Sequence, residues 1–447
     1  MAAVRKLAVS VDRAAQGHAP PTVQPSGPNA RAWIVLCILC FVYVLNFLDR
    51  SLLSILAKPI QDSLHVTDGQ LGLIGGLYFA LFYCFISIPV GWLADRTNRV
   101  WVLAIACALW SGATMACGTA ATYSQLVLAR MTVGVGEAGG VPPSYAIVSD
   151  YFPPGRRGTA LGIYNLGPPI GAALGIAFGA SIAAAYSWRD AFIALGSVGL
   201  VTAFLVLLLV REPPRGGLDR PAALDDAAAG FGRTIKMFFS RPALLLAGLA
   251  SGATQIVTYG AGNFSTLFLM REKGMTLGEV ALYSSLVTGI GMSAGIFVSG
   301  RVIDRFTRRS KTAYALVPAA SLALAVPFFL GYVWEPTWQA ALLFQLGPFF
   351  LNFFYLSSAV TLVQEEVRPD QRVMSGALLL LVMNLIGMGV GPAYVGAISD
   401  YFHASDPHHS LQIAHYALVP FYGLAIVLFL RLAIVLKREG TKQGVPQ

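Results

Sequence analysis

Charge is the scarcest property of this chain: Asp, Glu, Lys and Arg make up 12% of its 447 residues, against 56% hydrophobic ones. That balance excludes a soluble protein, whose surface has to be wetted, and suits contact with lipid. Acid is scarcer than base, 22 residues against 31, leaving a net charge of +9. Cysteine is confined to Cys37, Cys40, Cys84, Cys107 and Cys117, all inside apolar segments. Cys37 and Cys40 spell C-x-x-C, but within a membrane-length run they read as small packing residues rather than a redox or metal pair. No P-loop, dinucleotide fingerprint or nucleophile elbow with a supporting triad occurs, which argues against an ATP-driven pump and against an enzyme. No cofactor is expected. His403, His408 and His409 lie near Asp400 and Asp406 without the fixed spacing of a zinc site, so they read as a solvated loop and no metal is expected.

What the chain has in quantity is long apolar runs. A helix needs about 20 residues to cross the hydrocarbon of a bilayer, and twelve stretches of that order occur: 32–57, 70–94, 100–121, 125–149, 158–185, 190–210, 243–268, 278–300, 312–333, 338–363, 373–398 and 412–435. Gly, Pro or Asn interrupts the fifth, tenth and eleventh. The expected fold is an all-α membrane protein with twelve transmembrane helices in two pseudo-symmetric six-helix bundles, working as a monomer. With both termini in the cytoplasm, all but six of the 31 Lys and Arg fall on cytoplasmic tails and loops. Lys58, Arg189, Arg271 and Lys273 lie outside, and Arg50 and Arg130 lie within the segments. By the positive-inside rule this sets the orientation, in a plasma (inner) membrane. The surplus of base is then topology and attraction to anionic membrane lipids, and no nucleic acid partner is expected.

Residues 1–30 carry Arg5, Lys6 and Arg13 and then HAPPTVQPSGPNA, with no apolar core of a secretory signal; they are expected to form a disordered cytoplasmic tail. An N-terminal bundle over 31–211 is followed by a polar, Pro/Gly-rich linker over 212–241, a C-terminal bundle over 242–437 and a tail over 438–447. Within the linker FGRTIKMFF is amphipathic, as a helix lying on the membrane surface would be. The bundles echo one another. GWLADRTNR follows the second segment and GRVIDRFTRR the eighth, each with Gly four residues before an Asp-Arg pair. Repeats of this kind are the trace of a transporter made of two related bundles about a central site.

Four ionisable residues stand inside the N-terminal segments: Asp49 and Arg50 in LNFLDRSLL, and Arg130 and Glu137 in LARMTVGVGEAGG. Charge in hydrocarbon marks a functional site by default. Arg130 and Glu137 share one face of a helix, about 10 Å apart along its axis. Glu137 is placed near the bilayer midplane, and Asp49 on the oppositely running first helix is placed to meet Arg130. A desolvated carboxylate beside a permanent guanidinium makes Glu137 or Asp49 a proton carrier, with Arg130 free to bind a competing phosphate or carboxylate. The alternative is a static ion pair tying the two helices together. Arg50 either faces a neighbouring helix or snorkels. Pro142 and Pro143 are expected to break the helix below Glu137.

At these residues the chain resembles the major facilitator superfamily. Gly91, Leu93, Ala94, Asp95, Arg96 and Arg99 fit its G-x-L-A-D-R-x-G-R-K signature, with Asn98 and Val100 departing from it. Arg130, Gly134 and Gly136 fit its R-x-x-x-G-x-G pattern. Gly167-Pro168-Pro169-Ile170-Gly171 is similar to the core of its antiporter motif, with Ala172 and Ile163 standing where glycines are usual. The resemblance implies that Asp95, Arg96 and Arg99, with Asp304 and Arg305 in the second copy, latch the halves on the cytoplasmic side. NFLDRSLLSILAKPIQDSL and RMTVGVGEAGGVPPSYAIVSDYFPPGRRGTALGIYNLGPPIGAALG are similar to the spinster branch. That branch implies lysolipids or sphingoid lipids as substrates and, in part of it, proton coupling.

The C-terminal segments carry no ionisable side chain near mid-membrane; their polar candidates are Tyr259, Asn263, Asn352, Tyr355 and Asn384. A cavity charged on one wall and apolar on the other suits a small amphipathic substrate. Substrate contacts are expected from Arg130, Arg50, Tyr78, Asn263, Asn352 and Tyr355, although each neutral one also suits an ordinary interhelical hydrogen bond. The function expected is alternating-access transport of a lipid-like amphipath driven by protons. Efflux of drugs or small organic anions is the alternative, and a non-transporting receptor a third.

Overall fold

A computed structural model describes residues 30–214, 231–368 and 371–442. Residues 1–29 of the expected N-terminal tail, 443–447 of the C-terminal one and most of the linker lie outside the described residues; residues 438–442, expected in the tail, instead continue the last helix. Among the described residues eleven helices are long and apolar enough to span a membrane: α1 Ala30–Ile55, α2 Asp68–Ala94, α3 Arg99–Thr119, α5 Arg156–Ala185, α6 Trp188–Leu209, α7 Pro242–Arg271, α8 Leu277–Thr307, α9 Ala313–Trp334, α10 Trp338–Glu366, α11 Met374–His403 and α12 Ser410–Glu439. The fourth span, α4, completes the twelve in two pieces, Tyr123–Glu137 and Val141–Tyr151. The chain is an all-α membrane protein.

The break in α4 falls at Ala138–Gly140, one turn earlier than the prolines suggested. Pro142 and Pro143 instead open the second piece, where the missing N–H and fixed φ of proline are tolerated. α5 is interrupted at Asn165–Leu166 and α10 at Asn352–Phe353, whereas α11 runs unbroken through Pro392. The two Asp-Arg motifs are not free loops. Asp95 and Arg96 end the helical run of α2, and Asp304 and Arg305 lie within α8.

Each half repeats one packing scheme. α1 packs on α5, α2 on α4 and α3 on α6; in the second half α7 packs on α11, α8 on α10 and α9 on α12. The repeat extends to helix starts. α2 opens on a capping box of Thr67 and Gln70, and α8 on one of Thr276 and Glu279, each followed within a turn by one turn of π-helix. These boxes satisfy two orphan N–H groups apiece. The amphipathic linker segment is a helix, Phe231–Ser240, with Thr234 and Phe238 buried where it meets α7 and α11.

The halves approach most closely near the end of the bundle at which α2 begins. There α2 lies against α11, the C-terminal part of α5 against the start of α8, and the end of α1 against α7. A Cβ on Gly72 would sit 2.3 Å from the Pro392 carbonyl oxygen, and one on Gly396 2.4 Å from that of Asp68. Only glycine permits this backbone contact.

Candidate functional site

The four intramembrane charges form two rungs between α1 and α4. Arg130 Nη1 lies 3.4 Å from Asp49 Oδ2, and Arg50 Nε donates to Glu137 Oε2 at 2.6 Å. The meeting of Asp49 and Arg130 was legible from the sequence; the pairing of Arg50 with Glu137 was not. A Cβ on Gly136 would lie 2.6 Å from the Trp110 backbone nitrogen, so glycine there lets α4 press against α3 and bring Glu137 inward. Glu137 is also the last residue of its helical piece, where the helix dipole disfavours negative charge. Arg50 offsets that field.

The rungs differ in access. Asp49, Arg130 and Glu137 are 1%, 2% and 0% exposed, while the Arg50 side chain is 14% exposed. Its guanidinium is ringed by Phe47, Phe79 and Tyr83 at 5.0, 5.2 and 4.8 Å from their centroids. Tyr259 of α7 lies within electrostatic reach of it from the other half. Cation–π contacts of this kind contribute ~0.5–2 kcal/mol each. Asp49 Oδ1, Glu137 Oε1, Arg130 Nε and both polar atoms of the buried Asn46 have no protein partner. Buried polar atoms of this kind call for water or a ligand. Asn46, one turn before Asp49 and Arg50, escaped the sequence reading because a lone Asn carries no motif.

A second polar cluster joins the halves near the start of α2. Asp68, 3% exposed, accepts from Arg271 through two bonds of 3.1 and 2.6 Å, from Ser399 at 2.6 Å and from Gln61 at 2.6 Å. The Gly69 N–H donates to Asp400 at 2.9 Å, and the Ser54 hydroxyl donates to the Asn263 carbonyl at 2.7 Å. Beyond the end of α7, Glu272 accepts from the N–H groups of Leu411 and Gln412; its burial nonetheless pushes the carboxyl above its usual range. The sequence signals for this seal were the capping box T-D-G-Q and the glycines 69, 72 and 76 on one face of α2.

The neutral candidates are placed variously. Asn263 is half-buried in the seal, bonded to the Tyr259 carbonyl at 3.1 Å and packed against Gly75. Asn352 exchanges hydrogen bonds with Tyr422, at 3.0 and 3.2 Å, and Tyr355 accepts from Gln255 at 3.0 Å. Both are buried within the C-terminal half. Tyr78 is half-buried on α2. None of the four is brought beside Arg50 by a direct contact.

The side chain of Asp95 lies outside the described residues. Arg96 stacks on Trp92, and Arg99 pairs with Asp150 at 2.5 Å inside its own half. Asp304 and Arg305 are exposed and join no ion pair among the described residues. His409 pairs with Asp406 on the loop before α12 and holds that carboxyl below its usual range.

Two bundles with one internal packing scheme, sealed at one end around intramembrane charge, define a membrane transporter of alternating-access architecture. The family model described as Major Facilitator Superfamily matches residues 39–392, and the chain belongs to that superfamily. Within it the chain is spinster-like. It is similar to a solved structure titled as a bacterial homolog to the human lysosomal transporter Spinster, in an inward-facing and unoccupied conformation. The TM-score is 0.85 and the identity 27%, covering 92% of this chain and 99% of that one. Protein spinster homolog 1 of Xenopus tropicalis is 25% identical over 82% of this chain and 72% of its own length. An "MFS-type efflux pump" of Mycolicibacterium smegmatis is 33% identical over 84% of this chain and 86% of its own.

Proposed function

We propose that the chain moves a lysophospholipid or sphingoid lipid in step with protons, with Arg50 as the hinge of the coupling. The observation that carries this is the 2.6 Å Arg50–Glu137 pair, 14% exposed on its aromatic-rimmed arginine and closed on its acidic side. An anionic headgroup that takes Arg50 leaves Glu137 a buried carboxylate without its cation, a state so costly that the group takes up a proton instead. Anion and proton then bind together. Asp49, wholly buried and paired with the permanently charged Arg130 in the second rung, shares the proton with Glu137. With both termini cytoplasmic, the Asp68–Arg271 seal faces outside, the chain is inward-facing, and Asp95, Arg96, Arg99, Asp304 and Arg305 latch the opposite end in the alternate state.

The test is purified protein in liposomes, with and without an imposed pH gradient, against labelled lysolipids, sphingoid bases and drugs. Gradient-stimulated lysolipid flux that Arg50→Gln abolishes supports the proposal; flux indifferent to the gradient and to Arg50 defeats it. The likeness to an efflux pump supports a second reading, export of drugs or small organic anions. Competition by such compounds, with none by lysolipids, would favour it.

A further inference from the structure

At the far end of α8 from the seal, Arg301, Val302, Arg305, Phe306 and Arg309 line a cavity of about 420 Å³. Arg301, Arg305 and Arg309 follow one another at every fourth position, so they stand in a row on one side of α8 and the turn after it. All three are exposed, and none joins an ion pair among the described residues. The nearest acid in sequence, Asp304, joins no ion pair among the described residues either. Like charges four apart destabilise a helix, and the helix dipole repays Arg305 and Arg309 at its C-terminal end. It does not account for Arg301, two turns earlier, whose guanidinium lies 3.6 Å from the centre of the Phe297 ring.

The corresponding motif of the first half is built differently. Where Arg301 stands after Gly300, Trp92 stands after Gly91; there a single Arg96 stacks on Trp92, and Arg99 is neutralised by Asp150. The uncompensated arginine row is thus specific to the second half. Beside it Phe297 and Phe306 are 63% and 46% exposed on a membrane-spanning helix.

We propose that this cavity binds the phosphate headgroup of an anionic phospholipid of the surrounding bilayer. Guanidinium forks one turn apart bracket a phosphate with paired charge-assisted hydrogen bonds. The exposed rings take the first methylenes of the acyl chains. Basic pockets at a membrane surface hold anionic headgroups by this chemistry. A soluble anion would gain nothing from the two rings.

The experiment uses the full chain in nanodiscs of phosphatidylcholine containing phosphatidylglycerol, with retained lipids counted by native mass spectrometry. It needs no transport, so it stands or falls apart from the proposed substrate. The wild type is expected to retain phosphatidylglycerol, and the double variant Arg301→Gln/Arg309→Gln to bind it about thirtyfold more weakly, the factor for two lost guanidinium contacts. The control Arg156→Gln/Arg233→Gln removes the same charge from exposed positions elsewhere and is expected to retain it. Equal loss in the control would mean general surface charge and overturn the site. So would unchanged retention in the Arg301/Arg309 variant, or displacement of the lipid by millimolar inorganic phosphate.

Discussion

Arg50 and Glu137 join α1 to α4 at 2.6 Å with the arginine at the lip and the acid wholly inside. Seven residues along the same face of α4, Arg130 meets Asp49 at 3.4 Å with both members buried. Two opposite pairs make the cluster neutral as a whole. Loss or gain of one proton, or arrival of one anion, therefore leaves a full uncompensated charge in low dielectric, which is the condition for tight coupling.

Glu137→Gln keeps the shape and removes the titration. The variant is expected to express and insert normally and to lose gradient-driven flux, while substrate exchange without a gradient survives. Asp49→Asn should behave alike where the two acids share the task. Full pH-dependent transport in both single variants and in the double variant would remove these acids from the mechanism.

The two arginines are expected to fail in different ways. Arg50→Lys should weaken an anionic substrate about tenfold or more, since an ammonium cannot form the paired bonds of a guanidinium. Its melting temperature should change little. Arg130→Ala strands Asp49 as a buried charge, at a cost of ~3–5 kcal/mol, so it should appear first in thermal unfolding. Equal melting temperatures with equal binding losses would show that both arginines touch substrate.

How far the sequence carried this picture depends on the residue. Twelve spans, two bundles and the Asp49–Arg130 contact follow from apolar length and helical periodicity, which are local properties. The Arg50–Glu137 pair does not, because residues 49 and 50 lie about 100° apart on a helix and the sequence alone does not say that both neighbours reach α4. The seal was missed for a related reason. Asp68 and Arg271 are far apart in the chain and each sits at a helix end, where a charge has an ordinary solvated explanation. Asn352 and Tyr355 read equally as cavity polar groups or interhelical bonds, and only the positions of Tyr422 and Gln255 show that bonds inside the bundle occupy them.

Gly72→Ala tests the seal directly, since its Cβ would meet the Pro392 carbonyl at 2.3 Å. The variant should push the start of α2 away from α11 and shift the population toward the conformer open at this end. Asp68→Asn should act in the same direction by weakening the hold on Arg271. Spin-label distances between the ends of α2 and α11 that stay at wild-type values in both variants would reduce this cluster to packing.

Asp95→Ala tests the opposite end. Loss of the latch should shift the population toward the conformer open there, and turnover should fall much more than substrate affinity, because the Arg50 site is untouched. Unchanged distances across that face would leave Asp95 as a helix-terminal residue only.

The substrate's tail gives the last measurement. An anionic headgroup on Arg50 has aromatic rings beside it on α1 and α2, and the facing half offers Tyr259 and uncharged helices. Each methylene buried there contributes ~0.8 kcal/mol, or about fourfold in affinity, until the space is full. Affinity across a homologous series of lysophospholipids should therefore climb with chain length and then level off. Arg50→Gln should lower the whole curve while keeping its slope, since head and tail are held by separate groups. A flat dependence on tail length in the wild type would exclude the lipid and leave the small organic anion or drug as the cargo.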